Sequence, residues 1–136
     1  MYELFEHTAD LGLRVQAADL DTLFAEAAEA LFAALVEDLG TVVASQRVEV
    51  RLPPDDREYL LFDWLKALLY HCDAEHLLLS RFEVHVGDDG LTGAAWGEPI
   101  DPARHDLSHE VKAITYHGLR VEQVEGGWLA EVIVDI

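Results

Sequence analysis

The sequence predicts an α+β protein, a two-layer sandwich in which two amphipathic helices pack on a mostly antiparallel or mixed β-sheet. Three observations carry this. Two stretches repeat apolar residues at helical spacing, the other apolar segments alternate with a period of two, and the alternating segments group around the helical ones with Gly-bearing turns between neighbours. At 136 residues the chain suits one domain, residues 1–136. A chain of roughly 150 residues buries about 68–70% of the surface its unfolded form exposes, so no disulfide or structural metal is needed to hold the core.

Residues 7–10 form the approach to a first strand, 11–17, in which Leu11, Leu13, Val15 and Ala17 alternate with Gly12, Arg14 and Gln16. A helix follows, with Leu20, Leu23, Phe24, Ala27, Ala28, Leu31, Phe32, Leu35 and Val36 on one face. Asp19 or Asp21 is available as its N-cap and Gly40 as its stop. Residues 47–52 alternate again until Pro53 and Pro54 end the strand. Asp55 and Asp56 open a second helix, whose stripe is Leu60, Leu61, Trp64, Leu65, Leu68, Leu69 and Cys72. Neither helix is stable alone, because docking each large apolar side chain is worth roughly 1.5–3 kcal/mol, far more than local propensity. Residues 82–86 and 91–96 form a hairpin around Gly87-Asp88-Asp89-Gly90. Residues 97–110 lack a period and read as a long loop, a place where function often resides. The stretches 111–116 and 119–124 are strand-like. A last hairpin turns at Gly126-Gly127 and sends Trp128, Ala130, Val132 and Val134 to the core, with Glu131 and Asp135 on the other face.

Nine basic residues against 27 acidic ones give a net charge of −18. Phosphate backbones are bound by Lys and Arg that displace counterions, so nucleic acid is an unfavourable partner, as is an anionic membrane. No apolar run approaches the ~20 residues of a membrane span, and the opening residues have no basic segment before an apolar one. The single cysteine, Cys72, has helical apolar spacing and reads as a core residue. Together these features lead to the expectation of a soluble, cytoplasmic protein.

Three acidic groups are candidates for a site: Asp10 before a strand, Asp135 near the end of another, and the carboxylate of Ile136. Gathered about 4 Å apart, each pair would repel by about 4 kcal/mol at an effective dielectric near 20, so a cation, best a hard divalent one, would be required. The plainer alternative makes Asp10 a turn cap and Asp135 a solvated strand end. His71 and His76 lack zinc spacing, Ser108-His109-Glu110 is no triad by adjacency alone, and no phosphate-cradling Gly-rich motif occurs.

Several blocks in order, His7-Thr8-Ala9-Asp10-Leu11-Gly12, Leu23-Phe24-Ala25-Glu26-Ala27-Ala28, Leu61-Phe62-Asp63-Trp64-Leu65, Val111-Lys112-Ala113-Ile114-Thr115-Tyr116-His117 and Asp135-Ile136, resemble the archease family across essentially the whole chain. The resemblance implies a non-catalytic protein cofactor of an RtcB-type RNA ligase in tRNA splicing and RNA repair, one that promotes guanylylation of the ligase and multiple turnover. It also implies a divalent metal site, calcium by the family pattern, with Asp10, Asp135 and Ile136 as ligands. Lys66 departs from the polar uncharged residue expected at its position. Lys112 opens the Lys-Ala-Ile-Thr-Tyr-His block, where an ammonium could contact a nucleotide phosphate or a ligase carboxylate, the alternative being a strand lysine paired with a nearby acid. An acidic chain is drawn to a basic ligase rather than to RNA. Two other classes suit the same residues, a general acidic chaperone or scaffold and a small metal-dependent hydrolase built on Asp10 and Asp135.

Overall fold

A computed structural model of the chain describes residues 1–7 and 9–136; Thr8, within the first of the quoted blocks, lies outside the described residues. The fold opens with a hairpin in which β1 (Tyr2–His7) pairs antiparallel with β2 (Asp10–Ala17), from Tyr2 opposite Val15 to His7 opposite Asp10. The alternation at 11–17 is therefore a strand, and it begins at Asp10. β1 is a strand that the sequence pattern does not reveal, because as an edge it is mostly exposed and its apolar residues do not alternate cleanly. Phe5 locks it in place. A Cβ on Gly12 would lie 2.2 Å from the Phe5 Cζ, so the ring occupies the space a side chain would fill, and the Arg14 guanidinium lies 4.5 Å from the same ring's centre.

The first helix, α1 (Leu20–Leu35), is capped by Asp19, whose carboxylate accepts from the Thr22 amide at 2.8 Å. Asp21 instead reaches across to accept from the Val86 amide. The helix does not run to Gly40; Val36 is already extended, and Leu39–Thr41 form a short 3-10 turn. The carbonyls of Ala34 and Leu35 find partners in the amides of His109 and Ser108, so a distant loop supplies the end that local sequence was expected to supply.

β3 (Gln46–Leu52), α2 (Arg57–Glu75), β4 (Leu77–Gly87) and β5 (Gly90–Pro99) follow. The helix ends at His76, which adopts the left-handed conformation with φ 56°. β4 begins at Leu77 rather than at Phe82. Leu77, Leu78 and Leu79 are all buried, which hides the period of two, and an irregularity between Leu79 and Arg81 restores the alternation. β5 extends to Pro99, which shortens the predicted loop at its start. Only β6 (Ala113–Ile114) remains of the strand expected at 111–116, followed by β7 (Arg120–Val124) and β8 (Gly127–Asp135).

The expected single sheet is two sheets, and every pairing among the described residues is antiparallel. The larger has the order β1-β2-β8-β6 with β7 also on β8, and the smaller the order β3-β5-β4. Both helices contact both sheets, which makes one continuous core. Trp128 is only half-buried, whereas Leu129 and Ile133, on the face expected to be solvated, are buried. A row of alternating charge, Glu3, Arg14, Glu131 and Arg120, crosses four strands at one level, with N–O distances of 2.6 to 2.8 Å. Exposed pairs of this kind add less than about 1 kcal/mol each, so the row selects register more than it stabilises.

At the centre lies Trp64, fully buried, whose indole N–H donates to the Phe24 carbonyl of α1 at 3.0 Å. Its ring also abuts Gly93 of β5, where a Cβ would come within 2.5 Å of it. Cys72 is buried, as its spacing implied, and burial pushes its thiol up to about 11. Replacing Trp64 with Ala is expected to lower the unfolding free energy in urea by about 3–5 kcal/mol. Gly93→Ala, which overpacks the same ring, should lower it by about 1–3 kcal/mol. A Gly93→Ala protein as stable as the wild type would show that the ring has room to move.

Candidate functional site

Antiparallel register brings the predicted acidic residues together. Asp10, the first residue of β2, is the direct partner of Asp135, the last residue of β8, and Asp135 is also the partner of Ala113 in β6. Directly opposed residues put their Cβ atoms about 4.5–5.5 Å apart on the same face of the sheet. Asp10 thus faces Asp135 across the ladder, and Asp135 is an exposed strand end. The Asp10 side chain is 34% exposed. Among the described residues neither carboxylate pairs with Lys or Arg, so two like charges share one rung without a compensating cation. Lys112 directly precedes β6, its amide donating to the Asp135 carbonyl at 2.7 Å. Its side chain is exposed and, among the described residues, makes no ion pair, contrary to the plain reading of a paired strand lysine. Lys66 is exposed on α2.

Two histidines that sequence reasoning did not assign also stand here. His7 Nδ1 is 4.0 Å from an Asp10 carboxylate oxygen and, although buried, has no hydrogen-bond partner among the described residues. The His117 ring lies 5.4 Å from that of His7. The available signal was that the first and last residues of two quoted blocks, His7 and His117, are both imidazoles. Between His7 and Asp10, Ala9 takes φ 67°, a left-handed conformation in which a Cβ is strained.

The donor chemistry fits a hard divalent ion. Two facing carboxylates, with no Lys or Arg paired to them among the described residues, would supply anionic oxygens, and Ile136, directly after Asp135, would add a main-chain oxygen; calcium takes such ligands and completes its shell with water. Among the described residues no group of three or more His, Cys, Asp or Glu side chains is arranged to hold a metal.

The loop that delivers Lys112 is pinned rather than free. Glu98, at the end of β5, accepts from the Val43 amide at 2.6 Å, from Arg104, and from His105 Nε2 at 3.0 Å. His105 Nδ1 accepts from the Asp101 amide at 2.9 Å, so its proton sits on Nε2 and points at Glu98. Further along, the same loop pairs with the end of α1 and then enters β6.

Two helices that contact two antiparallel sheets, with Asp10 facing Asp135 where two strands of the larger sheet end, make this a small α+β protein. The model of the Archease protein family (MTH1598/TM1083) matches residues 2–136, and the chain belongs to the archease family. It is 42% identical to protein archease of Methanopyrus kandleri over 99% of both chains. It is 37% identical to protein archease of Pyrococcus furiosus, over 99% of this chain and 98% of that one. The solution structure of Methanobacterium thermoautotrophicum protein 1598 superposes with a TM-score of 0.85 at 39% identity, covering 99% of this chain and 98% of that one. A crystal structure of an archease from Thermotoga maritima, described as a possible chaperone, shares the fold with a TM-score of 0.60 at 20% identity, covering 100% of this chain and 98% of that one. Among the described residues no helix is long and apolar enough to cross a membrane.

Arg104 and the Val43 amide hold the Glu98 carboxyl well below its ordinary value of 4.5, at about 2. A carboxylate lowered on folding contributes stability that is complete above the unfolded value and lost as pH falls through the folded one. Thermal unfolding of the wild type should therefore drop more steeply between pH 4.5 and pH 2 than that of Glu98→Gln. Parallel curves for the two proteins would remove Glu98 from the acid response.

Proposed function

We propose that this chain is a non-catalytic protein cofactor that activates an RtcB-type RNA ligase in tRNA splicing and RNA repair by promoting guanylylation of the ligase and multiple turnover. The observation that carries the reading is the rung on which Asp10 faces Asp135, in a chain of the archease family. Asp10, Asp135 and an oxygen of Ile136 would hold a divalent ion, calcium on the family pattern, which when bound supplies positive charge for orienting a nucleotide phosphate. Lys112, exposed beside this rung, adds an ammonium that reaches a phosphate or a ligase carboxylate. The net charge of −18 repels RNA and favours a basic protein surface, so the ligase, not its substrate, is the partner. The protein works from the cytoplasm, where its one cysteine stays reduced.

Guanylylation of an RtcB-type ligase, followed with labelled GTP with and without this protein, tests the reading; no stimulation would sink it. GTP turnover without ligase would instead favour the small hydrolase, and recovery of many unrelated clients a general chaperone.

Calorimetric titration with calcium should show binding by the wild type and at least a tenfold loss for Asp10→Ala and for Asp135→Ala, with circular dichroism unchanged. Either variant grossly unfolded, or binding as tightly as the wild type, would end the ligand assignment. Lys112→Ala should lower stimulation of guanylylation at least about tenfold, close to 1.4 kcal/mol of transition-state stabilisation, with Tm little changed. Full stimulation by the folded variant would take Lys112 out of the site.

A further inference from the structure

Beyond the strand-end corner, the segment after β6 lays Tyr116 flat on Phe62 of α2, with ring centres 3.9 Å apart and planes 10° from parallel. Phe62 is buried, but Tyr116 is 59% exposed. Tyr59, one helical turn before Phe62 and 47% exposed, stands across Tyr116 at 78° with centres 6.1 Å apart. Two exposed rings thus meet in an open right-angled corner. Asp56 and Glu58 line the same hollow, and among the described residues neither makes an ion pair.

Aromatic rings elsewhere in the chain show what such a corner accepts. The chain's own guanidiniums lie over Phe5, Trp96 and Trp128: Arg14 at 4.5 Å, Arg81 at 4.7 Å with Arg47 at 5.6 Å, and Arg57 at 4.7 Å from the respective ring centres. Among the described residues no cation lies over Tyr59 or Tyr116. With nine basic residues against 27 acidic ones, the chain has few cations to supply, and a corner with two unpaired carboxylates is complementary to a cation from another molecule.

We propose that the Tyr59–Tyr116 corner, with Asp56 and Glu58, is a docking site for an arginine side chain of a basic protein partner. The planar guanidinium stacks on a ring face while its N–H groups donate to the carboxylates, a combination that the point charge of lysine meets less well. The corner receives an arginine whether or not the partner is an RNA ligase.

The test uses the full chain at 0.15 M salt, where long-range attraction is largely screened. Ring resonances of Tyr59 and Tyr116 are followed by NMR while an acetylated, amidated Gly-Arg-Gly-Arg-Gly peptide is added, with its lysine and citrulline counterparts in parallel. The arginine peptide should shift both rings and bind more tightly than the lysine peptide, and the citrulline peptide at least about tenfold more weakly. Tyr59→Leu and Tyr116→Leu, which keep the charge, should each weaken arginine binding about tenfold while remaining folded by circular dichroism. Citrulline binding equal to arginine overturns the proposal even if a variant fails to fold. So does undiminished arginine binding by both folded variants, or an RNA oligonucleotide that shifts the two rings at least as strongly as the arginine peptide.

Discussion

The rest of the structure depends on the burial of one indole. Trp64 is enclosed completely, its N–H is spent on a carbonyl of α1, and its ring fills the space that a side chain at Gly93 would need. One residue of α2 thereby sets the separation of the two helices and the approach of the smaller sheet. A buried N–H left without an acceptor is penalised by about 1–3 kcal/mol, so the bond to Phe24 is strongly selected over other packings of the same apolar stripe. Because both helices touch both sheets, an error here would propagate to the larger sheet, whose strand ends carry the candidate site.

That site sets electrostatics against pairing. The ladder between β2 and β8 runs without interruption until Asp10 meets Asp135, and it ends on a pair of like charges. Like charges directly opposed destabilise a sheet, and nothing in local packing requires acids there. The adjoining left-handed Ala9 and the His7 nitrogen, without a hydrogen-bond partner among the described residues, are also local conflicts. Such conflicts cluster where a fold serves a ligand, and here the surrounding register holds them in place.

Cations are scarce in this molecule, and their distribution is informative. Arg14 and Arg120 are taken up by the charge row of the larger sheet, Arg47 and Arg81 flank Trp96, and Arg104 secures Glu98. Lys112 is left exposed beside the acidic rung. The remaining surface is strongly negative, and Tyr59 and Tyr116 meet on it as two exposed rings.

Periodicity and composition alone determined both helices, most of the strands, the Asp19 cap as one of two candidates, the burial of Cys72 and the strongly acidic character of the chain. These are legible because amphipathic spacing and net charge are local or additive properties. Burial on both faces concealed the start of β4, and an exposed edge concealed β1. The end of α1 was illegible because its carbonyls are satisfied by Ser108 and His109, some seventy residues away. For the site, the sequence named Asp10, Asp135, Ile136 and Lys112, the grouping of Asp10 with Asp135 and Ile136 coming from family resemblance. Only the tertiary register could set Asp10 opposite Asp135, bring Lys112 beside that rung and add His7 and His117. Pairing between strands more than a hundred residues apart is decided by the whole core, not by any local pattern.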